Sequence, residues 1–178
     1  MEEIELYHLS CIEYPIGIVA PIEDLSFYHT STLTDSRSWI NGFLDDHSPE
    51  DFPSRKKSFY ACDTIANCKA LKSTICNDVD CIPRIYKVRL NDPKKVPMAL
   101  ITHLFRLGKN NTSNIEIANE YWAPTVEWKF YEYLSEEMEI IEEITNSDVT
   151  PEGQILFWAT NSNSLLADDA AKAKNIFI

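Results

Sequence analysis

Trp128-Lys129-Phe130-Tyr131-Glu132-Tyr133-Leu134 is the stretch that decides how this chain folds. It is rich in aromatics and runs at the two-residue period of a β-strand. On that period Trp128, Phe130, Glu132 and Leu134 share one face, and Lys129, Tyr131, Tyr133 and Ser135 share the other. The first face lacks the lysine and is expected to point inward. A carboxylate then stands in line with three large apolar groups. Burying an unpaired carboxylate is costly, so a residue placed this way is normally paired, protonated or working. A β-bulge that turns Glu132 to solvent is the competing reading, and alternation alone does not choose between them.

Working outward, a turn at Ser135-Glu136-Glu137 leads into a second alternating run, Met138 to Ile144, which is expected to pair with the first as a hairpin. Upstream, Ile115 to Trp122 reads as a helix stopped by Pro124, and Val96 to Leu107 as a helix with Met98, Ile101 and Phe105 inward. Pro83 to Leu90 is the clearest alternating strand. Ser58 to Cys62 is a short strand running into a helix capped by Asp63-Thr64, with Ile65, Cys68 and Leu71 as its stripe. Asn77 to Asp80 marks a turn. Trp39, Ile40, Phe43 and Leu44 form a helical stripe capped by Thr34 or Asp35, and the proline-punctuated residues from Asp45 to Lys57 read as a surface loop. Residues 4–10 are a first strand with Ile4, Leu6, His8 and Ser10 on one face. Cys11 to Pro21 is a loop with extended pieces. After Ile144 the chain changes character: Ile155 to Ala159 reads as one more strand and Leu165 to Lys174 as helix-prone. The class is α+β, two small sheets with short helices packed around them.

A chain of 178 residues is expected to form one domain. Its formal net charge of −12 argues against a protein that coats nucleic acid, without excluding a local basic groove at Arg55, Lys56 and Lys57. With no charged-then-apolar leader and no long apolar run, the expectation is a soluble, cytoplasmic protein without a membrane partner. The five cysteines, an odd number, favour free thiols in a reducing compartment, and their spacings contain no Cys-x-x-Cys pair for a metal. None of Gly17, Gly42, Gly108 and Gly153 falls in a phosphate-cradling pattern, so any nucleotide must be held by strands and side chains. A histidine at position 8 is, on its own, more often a hydrogen-bonded core residue than a functional one.

Three pieces occur in order: Tyr7-His8-Leu9-Ser10 on a first strand, Ser58-Phe59-Tyr60-Ala61 on a strand entering a helix, and Glu132-Tyr133-Leu134 on a late strand. Together they resemble the ADP-ribosyltransferase superfamily in its histidine–tyrosine–glutamate branch, the diphtheria-toxin and poly(ADP-ribose) polymerase type, with the ending most similar to bacterial or phage members. The resemblance spans roughly residues 4–144, so that 1–144 is expected to be the ADP-ribosyltransferase-like domain and 145–178 a C-terminal extension packed on the same domain. It implies a split β-sandwich of two small sheets that binds NAD between them. It also implies that His8, Ser10, Phe59 and Tyr60 bind NAD, with His8 on a ribose hydroxyl and Tyr60 stacked on nicotinamide. Glu132 would be catalytic, holding the ribose 2′-hydroxyl and stabilising positive charge at the anomeric carbon.

The activity so implied is mono-ADP-ribosyl transfer from NAD, as substrate, to a nucleic acid, protein or small molecule. A toxin or phage-conflict effector, with an antitoxin or target protein as partner, is the context the resemblance suggests. Phe130 stands where many protein-modifying members carry Glu or Gln, which speaks against arginine modification. Glu120 and Glu127 are the other carboxylates near enough to be confused with Glu132. The alternative from another class is a non-catalytic, acidic binding or inhibitor protein on the same fold.

Overall fold

The computed structural model describes residues 4–21, 38–70, 82–128 and 130–144. In chain order the elements are β1 (Leu6–Ser10), α1 (Ser38–Asp45), a 3-10 turn (Arg55–Lys57), β2 (Phe59–Ala61), α2 (Ile65–Ala70), β3 (Arg84–Leu90), β4 (Lys94–Pro97), α3 (Ala99–Leu107), α4 (Asn114–Trp122), β5 (Tyr131–Ser135) and β6 (Met138–Glu143). The strands make two three-stranded antiparallel sheets, ordered β1-β3-β6 and β2-β5-β4. This is the α+β class expected from the alternation. Thr34, Asp35, Leu71, the turn at 77–80 and everything assigned to 145–178 lie outside the described residues.

Backbone hydrogen bonds stitch an edge of one sheet to an edge of the other. Tyr7 N–H donates to Cys62 O over 2.8 Å and Cys62 N–H to Tyr7 O over 2.7 Å, joining edge strand β1 to the end of edge strand β2. The far edge, β6, is covered by the loop after β1. Gly17 N–H donates to Ile140 O, Ala20 N–H to Met138 O, and Ile140 N–H to Ile18 O, each over 2.8 Å. Pairing of this kind satisfies an edge that would otherwise template aggregation. Gly17 opens it at φ +84°, a backbone conformation that glycine adopts without steric cost.

Four expectations are corrected. The Glu132 strand begins at Tyr131, not Trp128, because Trp128 N–H is taken by the Tyr131 hydroxyl at 2.7 Å and not by a neighbouring strand. Both faces of β5 are buried, since it is the central strand of its sheet and Lys95 of β4 lies over the Tyr131 ring at 4.1 Å. Lys94 to Pro97 is a strand, so the helix expected from Val96 starts only at Ala99.

The fourth correction concerns topology. β5 and β6 do not pair as a hairpin: β5 lies between β2 and β4, while β6 pairs with β3. Ser135 Oγ sits 2.6 Å from Asn91 O and 2.8 Å from Glu137 O, and Asn91 N–H donates to Glu137 O over 3.3 Å. These bonds tie the Ser135–Glu137 link to the end of β3, so the chain crosses from one sheet to the other. Met138 and Ile140 then become fully buried, each contributing about 1.5–3 kcal/mol of apolar burial.

The thiol expectation also needs amending. Cys62 and Cys68 are free and buried, but Cys11 is disulfide-bonded. A disulfide is unusual in a reducing compartment, so cysteine usage does not support a cytoplasmic location.

Candidate functional site

Register places Tyr60 opposite Leu134 and Val96 opposite Glu132. Cross-strand partners and residues two apart share a face, so Tyr60, Val96, Glu132 and Leu134 project from one side of the β2-β5-β4 sheet. Glu132 is therefore turned inward, 4 % exposed, and the bulge reading fails. Its cost of burial is met by a partner the sequence reading assigned to a surface loop.

That partner is Arg55, also 4 % exposed, whereas Lys56 and Lys57 beside it face solvent. Arg55 is held by one face of α1, from residues four apart. Asp45 accepts Ser54 Oγ–H at 2.7 Å and Arg55 N–H at 2.6 Å, fixing the turn, and Asn41 Oδ1 accepts Arg55 Nε–H at 3.0 Å. Nη1 then donates to both Glu132 Oε1 and the Tyr121 hydroxyl. The guanidinium carbon lies 5.0 Å from the Tyr60 ring centroid and 5.1 Å from that of Tyr121, within cation–π range of both. Tyr60 closes the circuit by donating its hydroxyl to the Arg55 carbonyl.

Tyr121 completes the geometry by donating its hydroxyl to Glu132 Oε1 over 2.6 Å. Both donors thus land on the same oxygen. Oε2 has no donor among the described residues and is not sealed from solvent. The carboxylate is asymmetric: Oε1 takes two donors, and Oε2 takes none among the described residues.

The last turn of α4 organises this arrangement. Beside Tyr121, Trp122 Nε1–H donates to Leu44 O at 2.8 Å, docking α4 on α1. Glu120 accepts from Thr125 N–H at 2.9 Å, Thr125 Oγ1–H at 2.7 Å and Trp128 Nε1–H at 3.0 Å, which folds down the loop leading to β5. Burial raises the Glu120 carboxyl, but these bonds from Thr125, Trp128 and Val126 outweigh it, and the group stays below its ordinary value. Glu120 is thereby a clamp, and Glu127 lies exposed in the same loop.

Burial pushes the Glu132 carboxyl above its ordinary value, against the opposing charge and hydrogen bond of Arg55. His8 is lowered to about 4, again by burial, with its bond to Tyr60 pulling the other way. That bond is Nδ1–H to Tyr60 O at 2.7 Å, so the neutral ring carries its lone pair on Nε2. Burial also raises the Tyr60 phenol. A hydrogen bond with Cys68, then burial, raises the Cys62 thiol.

The sequence-derived candidates separate into two groups. His8, Tyr60 and Glu132, from three distant segments, form one connected cluster with Arg55 and Tyr121. Phe59 points to the opposite face of β2 and is 1 % exposed in the core. Ser10 is buried at the end of β1, where its Oγ accepts Ile12 N–H at 2.8 Å. Arg55, Asn41 and Tyr121 were missed. The only sequence signal for Arg55 was a basic run in a loop, and Tyr121 reads as ordinary helix stripe.

No protein-family model and no curated protein matches the chain. Among the described residues, no helix is long and apolar enough to cross a membrane.

Proposed function

We propose that this chain is an NAD-dependent mono-ADP-ribosyltransferase built as a split β-sandwich of two small sheets. The observation that carries the reading is the convergence of His8, Tyr60 and Glu132, where the ends of β1 and β2 meet, with Glu132 presenting one undonated oxygen. Tyr60 is half-buried, and its ring is the aromatic surface that would stack on nicotinamide. Glu132 Oε2 suits the ribose 2′-hydroxyl as acceptor. When the nicotinamide–ribose bond breaks, its electron pair leaves with nicotinamide, which departs neutral, and positive charge develops at the anomeric carbon. A carboxylate fixed in a water-poor cleft stabilises that charge better than one in bulk water. The acceptor then attacks that carbon and loses its proton. It is a nucleic acid, a protein or a small molecule.

The second reading, a non-catalytic acidic binding or inhibitor protein on this fold, has one observation in its favour. Arg55 already neutralises Glu132, as a purely structural ion pair does. Calorimetric titration with NAD separates the two. The transferase reading expects binding that weakens by about 1–3 kcal/mol in Tyr60→Ala. Absence of any NAD binding by the intact chain overturns it.

A further inference from the structure

We propose that Arg55 and Tyr121 are positioning residues that grip Glu132 by Oε1 alone and so turn Oε2 to the substrate. This rests on the transferase reading above, but its geometric half stands without it. Two donors from different elements, the 3-10 turn and α4, converge on one oxygen and leave the other bare among the described residues. A carboxylate free to rotate would present either oxygen, and each would need reorienting before it met a hydroxyl. The grip is itself supported: Asn41 holds Arg55 at Nε, Asp45 holds its backbone, and Trp122 fastens the helix carrying Tyr121 to the helix carrying Asn41.

The same two donors answer a second need. Glu132 is buried, and burial favours its neutral form, which would stabilise no developing positive charge. The ionisable groups around it are Arg55 from the turn, Tyr121 from α4, and Tyr60 and Cys62 from β2 and its end. Val96, opposite it on β4, brings no charge. Arg55 is the one cation among these groups, and among the described residues Tyr121 is the one neutral side chain that donates to the carboxylate. Removing either donor makes the anion less favourable and the carboxylate less constrained.

The experiment follows the Glu132 carboxyl carbon by NMR in protein labelled at glutamate, identifying its resonance as the one lost in Glu132→Gln. Its titration midpoint is compared between the parent and Tyr121→Phe, alongside nicotinamide release from NAD. The inference expects the midpoint to rise by about one pH unit. It also expects kcat for release to fall about 10–100-fold with KM nearly unchanged, in a variant whose melting temperature is lowered by the lost bond but which stays folded at the assay temperature. Should Tyr121→Phe fail to fold, Asn41→Ala loosens Arg55 and carries the same test. An unmoved midpoint in the folded variant overturns the positioning role, whatever turnover does. A raised midpoint in a protein whose parent releases no nicotinamide upholds the grip on Oε1 and overturns the transferase reading.

Discussion

Eleven residues apart in the chain, Tyr121 and Glu132 meet hydroxyl to carboxylate over 2.6 Å. The segment between them is not slack. Glu120 gathers Thr125, Val126 and Trp128 onto one carboxylate, so the path from α4 to β5 is set by hydrogen bonds as well as by length. One helix end therefore both delivers a donor to Glu132 and fixes the loop that delivers Glu132 itself.

Glu120 bonds to the loop and not to Glu132, so its removal is expected to act first on stability. Glu120→Ala leaves several donors without their acceptor and should cost about 1–3 kcal/mol, a cost moderated by solvent at this half-buried site. Denaturant unfolding measures it. If instead nicotinamide release collapses while unfolding is unchanged, Glu120 belongs to the chemistry and Glu132 loses its claim.

His8 sets a pH dependence whose sign is fixed by its burial. Folded, it is lowered to about 4 from an ordinary 6.5, so the unfolded chain takes up a proton first as pH falls. Its contribution is complete above pH 6.5 and is lost as pH drops toward 4. At about 1.4 kcal/mol per pH unit over that window, the loss is about 3.5 kcal/mol. His103, lowered by burial and then by Arg106, adds in the same direction. Glu132, raised by burial, opposes them, since its share is present at low pH and lost as pH rises. Unfolding free energies of the parent and His8→Gln at pH 7 and pH 4.5 isolate the histidine. The variant should show a smaller decline, and equal declines would mean that His8 protonates in the folded state.

Arg55 and Glu132 are expected to couple strongly. Arg55→Met leaves a buried carboxylate without its cation and should cost about 3–5 kcal/mol, while Arg55→Met with Glu132→Leu recovers most of that. Such a result would mean that apolar side chains serve the fold as well as the ion pair does, leaving function as the reason for the charges. Additive losses in the double variant would make the pair a structural fixture.

Much of this arrangement was legible from local pattern, and what was not has a physical reason. Two-residue alternation put His8 and Glu132 in line with apolar residues, because side-chain direction in a strand is a local property, but it left the bulge at Glu132 open until pairing with β2 and β4 closed it. Tyr60 stood out as an aromatic at a strand-to-helix junction. Arg55 was hidden because nothing local distinguishes it from Lys56 and Lys57; its burial is decided by Asn41 and Asp45 on a separate helix. β4 was hidden because Lys94-Lys95-Val96-Pro97 has little strand character of its own and is recruited by β5. The expected β5–β6 hairpin failed for a similar reason. A short link suggests a hairpin, yet Ser135 bonds to the end of β3 and sends the next strand to the other sheet.

Nicotinamide release by Glu132→Gln, measured beside NAD affinity at a temperature where the variant remains folded, tests the central claim most directly. The substitution keeps the shape and an acceptor oxygen while removing the charge. It also leaves the Arg55 guanidinium buried without its anion, so some loss of stability is expected and must be separated from turnover. Water serves in place of the acceptor, so none need be known. If Glu132 stabilises charge that exists only in the transition state, release falls on the order of 10²–10³-fold while NAD affinity changes little. A folded variant that releases nicotinamide as fast as the parent contradicts the account.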